Sequence, residues 1–315
     1  MKVHSYALSI LMVLTLSLNF FSCDDDDAMD NPTIVEFAQD NANFSILVDA
    51  LTAAGLVDAL NDRTSSLTVF APTNAAFEAF LAANNFTTLN DVPVDLLRTV
   101  LLYHVLPTEE TSTKLTSTFY NTLAEYAAGE PLTMYVNTSG GVKINADVDV
   151  TAADEEVANG VIHTVNAVIM PANVVTFAIA DPTFSNLVAA LTRTDLTADF
   201  VSILSGDGPF TVFAPTNAAF EALLASNTAW NTLADIPVAT LEAVLKYHVV
   251  AGANVRAADI ESDAPVTTFE GSTFSINLAG SAPVINAGSN TATIIATDVQ
   301  GSNGVVHAID TVLLP

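Results

Sequence analysis

Residues 68–79, TVFAPTNAAFEA, return without a change at 211–222. Twelve consecutive identities within 315 residues mark a duplication, so the chain must fold into the same thing twice. The correspondence spreads to both sides of this block. FSILVDAL at 44–51 pairs with FSNLVAAL at 184–191, and Tyr103-His104-Val105 pairs with Tyr247-His248-Val249. NGVIHTVNAVIMP at 159–171 pairs with NGVVHAIDTVLLP at 303–315. The offset drifts from 140 to 144, which puts the inserted residues between the motifs, where loops belong. Repeats of roughly 140 residues are too long for solenoid units and read as separate globular domains.

Each repeat changes character halfway. Phe44, Leu47, Val48 and Leu51 fall at helical spacing, as do Phe184, Leu187, Val188 and Leu191. Thr68-Val69-Phe70 and Thr211-Val212-Phe213 read as short buried strands ending at Pro72 and Pro215. Thr73 or Asn74 then caps a helix, and Thr216 or Asn217 does the same in the second copy. A further helix follows Pro93 and Pro237 and runs into the Tyr-His pairs. The second half alternates as strands over 132–136, 142–150 and 161–169, and again over 273–278, 292–296 and 305–313. Gly140-Gly141 is the expected hairpin turn. This is an α+β layout, with helices first and an antiparallel sheet after. The segments 107–130 and 251–270 diverge between the copies and read as loops that set each domain's specificity.

The N-terminus stands apart. Lys2 and His4 precede an apolar stretch from Tyr6 to Phe21, closed by Ser22, as in a secretory signal over 1–22. Cys23 is the single cysteine, so no intramolecular disulfide can form. Its place directly after the apolar run resembles the acylated cysteine of bacterial lipoproteins, although Phe20 and Phe21 replace the usual Leu and small residue. A lone thiol in an oxidising envelope is a liability, which favours lipid attachment. Asp24 to Asp27 follow, a self-repelling run within a flexible tether over 23–32. Such a run after the cysteine resembles the surface-export signal of lipoproteins in the Bacteroidetes group. The expectation is a cell-envelope protein on the outer membrane, exposed at the surface, with a periplasmic or secreted location as the alternative.

Charge excludes other partners. With 35 acidic residues against 8 basic ones, a net charge of -27, the chain cannot neutralise a run of phosphates, and nucleic-acid binding is ruled out. Electrostatic docking on an anionic leaflet fails likewise, leaving the lipid anchor as the contact with the membrane.

The FAPTNAAF block, the Tyr-His pair and the closing Asn-Gly-Val-hydrophobic-His segment resemble the three signature stretches of the fasciclin domain. They occur in order, twice, over about 33–171 and 175–315. The resemblance implies two tandem fasciclin-like domains, each a β-wedge of about seven strands beside a helical cluster. It further implies an adhesion or binding module rather than an enzyme, without catalytic residues or cofactor. Its partner would be an extracellular or envelope protein or glycan. It also associates Tyr103-His104 and Tyr247-His248 with recognition of a partner, whereas position alone suggests a buried structural pair.

Chemistry can be weighed within the duplication itself, since only polar residues found in both copies are candidates for a retained site. Beyond those named, Glu78, Asp91, Asp154, Asn159 and His163 pair with Glu221, Asp235, Asp298, Asn303 and His307. The two histidines of each repeat lie 59 residues apart, which invites a His, His and Asp facial triad. No His-x-x-x-His or Glu-x-x-His spacing supports it, and the residues read as a structural motif with no metal. Ser45 and Ser185 lack a nucleophile elbow. Asp147, Asp149, Asp154, Glu155 and Glu156 lack the glycine and spacing of a calcium loop, so they read as a solvated face. Trp230, the sole tryptophan, would stack on a sugar ring if exposed, the basis for an alternative role in glycan capture.

Overall fold

A computed structural model of the protein describes residues 31–315. The expected signal stretch 1–22, Cys23 and the acidic run from Asp24 lie outside the described residues. In the first repeat, Thr33 opens helix α1 (Ile34–Asp40) with a reciprocal cap: its hydroxyl accepts from the Glu36 N–H and the Glu36 carboxylate accepts from the Thr33 N–H. Helices α2 (Ser45–Ala53) and α3 (Val57–Leu60) follow, then strand β1 (Leu67–Pro72), α4 (Asn74–Ala83), α5 (Val94–Tyr103) and β2 (Val105–Leu106). Pro93 starts α5 and His104 ends it. Thr73, rather than Asn74, caps α4 through the Ala76 N–H. Strands β3 (Thr118–Ala127), β4 (Glu130–Asn137), β5 (Lys143–Ile144), β6 (Val148–Val157) and β7 (Gly160–Val165) complete the domain.

The second repeat rebuilds this plan. Helices α6 (Val174–Ala180), α7 (Ser185–Leu191) and α8 (Phe200–Leu204) lead into β8 (Phe210–Pro215), α9 (Asn217–Ala225), α10 (Val238–Tyr247) and β9 (Val249–Ala251). Strands β10 (Pro265–Thr267), β11 (Thr273–Asn277), β12 (Val284–Asn286), β13 (Thr291–Gly301) and β14 (Gly304–Ile309) close it. Both sheets have seven strands, ordered β2-β1-β7-β6-β5-β4-β3 and β10-β11-β12-β13-β14-β8-β9. The fold is α+β, as the sequence reading expected.

The sheets are mixed rather than antiparallel throughout. β1 lies parallel to β7 from Leu67 opposite Gly160 to Pro72 opposite Val165, and β8 lies parallel to β14. The cause is that β1 comes before the α4–α5 crossover yet is inserted between β2 and β7. Both of its faces are therefore covered. Leu67, Val69 and Ala71 join the core beneath the helices, while Phe70 points into a second core with Tyr103 and Met134. Val212, Ala214 and Phe213 divide in the same way. The continuous apolar run of the repeated block is what a strand buried on both sides requires. Fully burying one Phe there is favourable by roughly 1.5–3 kcal/mol.

Three segments differ from the sequence reading, and the first is 251–270, read as a loop, which carries the short edge strand β10. Part of 107–130, read as a loop, is the edge strand β3; its mostly exposed, polar face hides the alternation. The expected strand 142–150 is broken between β5 and β6, where Asn145 and Ala146 take positive φ values of 49° and 81°.

Candidate functional site

The side chains repeated in both copies bond mainly to the backbone. His104, at the C-terminus of α5, is 2% exposed. Its Nδ1 lies 2.7 Å from the Val100 carbonyl and its Nε2 lies 2.9 Å from the Ile169 N–H. A carbonyl can only accept and an N–H only donate, so the ring is neutral with its proton on Nδ1. Burial pushes its pKa down to about 4. His248 repeats this between Val244 and Leu313, also with a pKa of about 4 from burial. Each ring therefore fastens its own domain's closing segment to the end of a helix.

Tyr103 is fully buried. Its hydroxyl donates to the Thr133 carbonyl at 2.6 Å and accepts from Asn145 Nδ2 and the Ala172 N–H. Burial drives its ionisation far above the ordinary tyrosine range. The Tyr247 hydroxyl donates to the Thr273 carbonyl and accepts from the Gly288 N–H. With these side chains beneath the surface, the Tyr-His pairs shape the domains from within and present no side chain for a partner to read.

The second histidine of each repeat is a strut. His163 packs tilted against Phe70, with ring centroids 5.5 Å apart, and its Nε2 donates to the Glu110 carbonyl. Its Nδ1 accepts from the N–H of Asp154, a residue at φ 64° where β6 bulges against β7. The Asp154 carboxylate then accepts from the Ser112 N–H and hydroxyl, and the Ser112 hydroxyl bond is the main cause of its lowered pKa. Burial lowers the pKa of His163. His307 likewise accepts from the Asp298 N–H and donates to the Val255 carbonyl, while Asp298 accepts from the Ala257 N–H. His163–Asp154 and His307–Asp298 thus pin the divergent loops, 107–117 and 252–259, against the sheets.

Asn74 and Asn217 lie one residue past the cap and tie two helices together. Asn74 accepts from the Ile46 N–H and donates to the Ala42 carbonyl; Asn217 accepts from the Asn186 N–H and donates to the Pro182 carbonyl. Asn159 and Asn303 anchor the first helix of each domain through the Ile34 and Val174 N–H groups. Asp91 and Asp235 cap their own turns. Glu78 and Glu221 stand in solvent. A further pair escaped the sequence reading: Thr68 and Thr211, inside the identical block, donate to the Thr108 and Ala253 carbonyls. Their signal was the identity itself, obscured because a Thr in an apolar strand reads as a β-former.

The structure does not gather a His-His-Asp triad. Both nitrogens of His104 and of His163 are engaged by backbone groups. No cluster of three or more His, Cys, Asp or Glu side chains able to hold a metal ion occurs among the described residues. Asp149 pairs with Lys143 on the sheet surface, and that hydrogen bond is the main cause of its lowered pKa. Trp230 is half-buried against the helical core of the second domain. Neutral, fully bonded imidazoles support no acid–base role, and what they do is hold loops and the closing segment of each domain in place.

The domains meet along β4, β13 and α6. Thr133 donates to the Gln300 carbonyl, and the Tyr135 hydroxyl lies 3.4 Å from the Asp181 carboxylate. Burial, with that carboxylate beside it, pushes the Tyr135 pKa up to about 12. Phe119 packs edge-on against Phe177 with centroids 5.4 Å apart.

Comparison with known proteins agrees with this plan. The family model for the fasciclin domain matches residues 42–171 and 182–315. Two Synechocystis proteins, the uncharacterized protein sll1735 and protein sll1483, are 40% and 42% identical over 142 residues. Each match covers 45% of this chain, and 97% and 73% of those proteins. The pig transforming growth factor-beta-induced protein ig-h3 is 30% identical over 79% of this chain, which spans 35% of that protein's length. Human periostin is 29% identical over 79% of the chain, which spans 28% of that protein. Among solved structures, the domain pair of the insect cell adhesion molecule fasciclin I superposes with a TM-score of 0.57 at 20% identity. That match covers 88% of this chain and 98% of the insect one.

Proposed function

Because the chain belongs to the fasciclin domain family, a family of adhesion-related, non-enzymatic proteins, we propose that it is a two-module adhesion protein of the cell envelope, held by lipid on Cys23. The observation that carries this reading is the fate of the repeated polar residues. All but Glu78 and Glu221 are spent on internal bonds, so the duplication has preserved two frames and left the surfaces free to diverge. Loops pinned by His163–Asp154 and His307–Asp298 are the natural contact surfaces for an extracellular or envelope protein or glycan. Two modules on one anchor raise avidity through effective concentration when both reach a partner. The acidic run after Cys23 extends this reading to the outer face of the outer membrane, by its likeness to a surface-export signal of Bacteroidetes lipoproteins.

The test is protease shaving of intact cells, with palmitate labelling of wild type and Cys23→Ala in parallel. Label on wild type alone, with both domains digested from outside, is the expected result. Domains protected until the outer membrane is broken would remove direct cell contact and leave a binding role inside the envelope. Exchange of 107–117 for 252–259 should alter attachment of the cells to a matrix-coated surface. Unchanged attachment would count against the loops as contact surfaces.

A further inference from the structure

The two domains share one frame but not one interior. Between the helices and sheet of the second domain lies a cavity of about 280 Å³, lined almost wholly by hydrocarbon and roofed by Phe119 of the first domain. The inner part of the corresponding space in the first domain holds about 20 Å³, room for about one water, which needs roughly 10–15 Å³ on the same measure. Its outer part is a hollow of about 300 Å³ in which Asn41, Asn43, Glu155 and Thr164 stand where the second-domain cavity has Asp181, Thr183, Val299 and Ala308, so the first domain's counterpart is divided and its outer part is polar. The register explains the difference. Val174 and Val306 replace Ile34 and Ile162, which opens room inside. Val299, Ala308 and Ile295 replace Glu155, Thr164 and Thr151, which carries the apolar lining out to the rim. An apolar space of this size does not hold stable water, because water there would find no partners.

We propose that the second domain is a binding site for a neutral, largely hydrocarbon small molecule, which enters past Ile295 and lies between Phe177 and the sheet. The volume suits a compound of ten to twenty non-hydrogen atoms on the scale of known ligand pockets, of order 300 Å³ at the small end. Neutrality follows from the one carboxylate on the wall, Asp181, and from the absence of any Lys or Arg among the lining residues. An anionic lipid head would meet repulsion there with no cation to offset it. The first domain, with Glu155 and Thr164 in place, is the built-in control.

The test uses N-phenyl-1-naphthylamine, a neutral apolar fluorophore, titrated into the full chain. Saturable, blue-shifted emission at one site per chain is expected. Val299→Glu, which restores the residue found at this register in the first domain, should weaken binding about tenfold or more by placing a carboxylate at the mouth. Ala308→Leu should weaken it by filling the space, and circular dichroism checks that both variants are folded. Should Val299→Glu fail to fold, Ala308→Leu alone decides. Decanol should displace the probe and decanoate should not. Absence of saturable binding, or equal affinity in wild type and the folded variants, overturns the site; equal displacement by decanoate overturns the neutral ligand class.

Discussion

The Nε2 of His104 accepts a hydrogen bond from the backbone N–H of Ile169, 2.9 Å away and 65 residues later in the chain. His248 holds Leu313 at the same distance and the same separation. Each bond requires a neutral ring, and burial keeps the folded pKa at about 4, below the unfolded value of about 6.5. Between those values the unfolded chain binds the extra proton, so stability rises with pH. The contribution is complete above about pH 6.5 and is lost as pH falls towards 4. At pH 4.5 each histidine should have cost its domain about 2–3 kcal/mol relative to pH 7. Urea denaturation at the two pH values measures this, and His104→Gln should weaken the dependence while the contribution of His248 remains.

Tyr103→Phe removes a hydroxyl with three buried partners, Thr133, Asn145 and Ala172. We expect a loss of about 1–3 kcal/mol, because those groups are stranded without water. Tyr247→Phe strands two, Thr273 and Gly288, and should cost less. The midpoints of denaturant unfolding for the two variants give the comparison. Equal losses would mean that the Asn145 contact contributes little.

Gly160 sits where β7 begins, at φ 145°, and a Cβ built there would lie 1.9 Å from the Leu67 carbonyl oxygen. β1 runs alongside at that point and cannot yield without breaking the parallel register. Gly129 also has a positive φ, 80°, but faces open space. Gly160→Ala should therefore prevent folding of the first domain or lower its melting temperature severely. Gly129→Ala should cost only about 1 kcal/mol, the backbone preference alone. Calorimetry of the two variants separates contact from conformation.

What could be read from the sequence, and what could not, divides along physical lines. The duplication, the helices and their caps were legible because apolar spacing and Thr–Asn pairs are local signals. The parallel insertion of β1 was not. A six-residue strand buried on both faces carries no alternation, and nothing in Leu67–Pro72 names its neighbour. β3 was missed because an exposed edge strand needs little apolar content. The repeated polar residues could be picked out as a set, yet their partners are backbone groups up to 129 residues away, as for Asn303 and Val174. A backbone N–H or carbonyl has no sequence signature. The cavity was illegible for a related reason: Glu155 to Val299 is an unremarkable exchange until both positions are placed at the rim of one space.

The joint between the domains supplies the last prediction. The Thr133 hydroxyl donates to the Gln300 carbonyl in a fully buried setting, and the Tyr135 hydroxyl reaches the Asp181 carboxylate nearby. Thr133→Val with Tyr135→Phe keeps the shapes of both side chains and deletes both polar links. Each lost bond should cost about 0.5–1.5 kcal/mol, more at Gln300, whose carbonyl loses a partner inside the interface. The aromatic contact of Phe119 with Phe177 remains, so the domains stay joined but their unfolding is less tightly coupled. In calorimetry the wild type should unfold in one step, and the double variant should broaden or divide that transition. Hydrogen exchange should quicken in β4 and β13 ahead of the rest. An unaltered transition would mean that the packing of Phe119 on Phe177 and the remaining contacts across the joint, Arg256 with Glu130 among them, couple the two domains without these bonds.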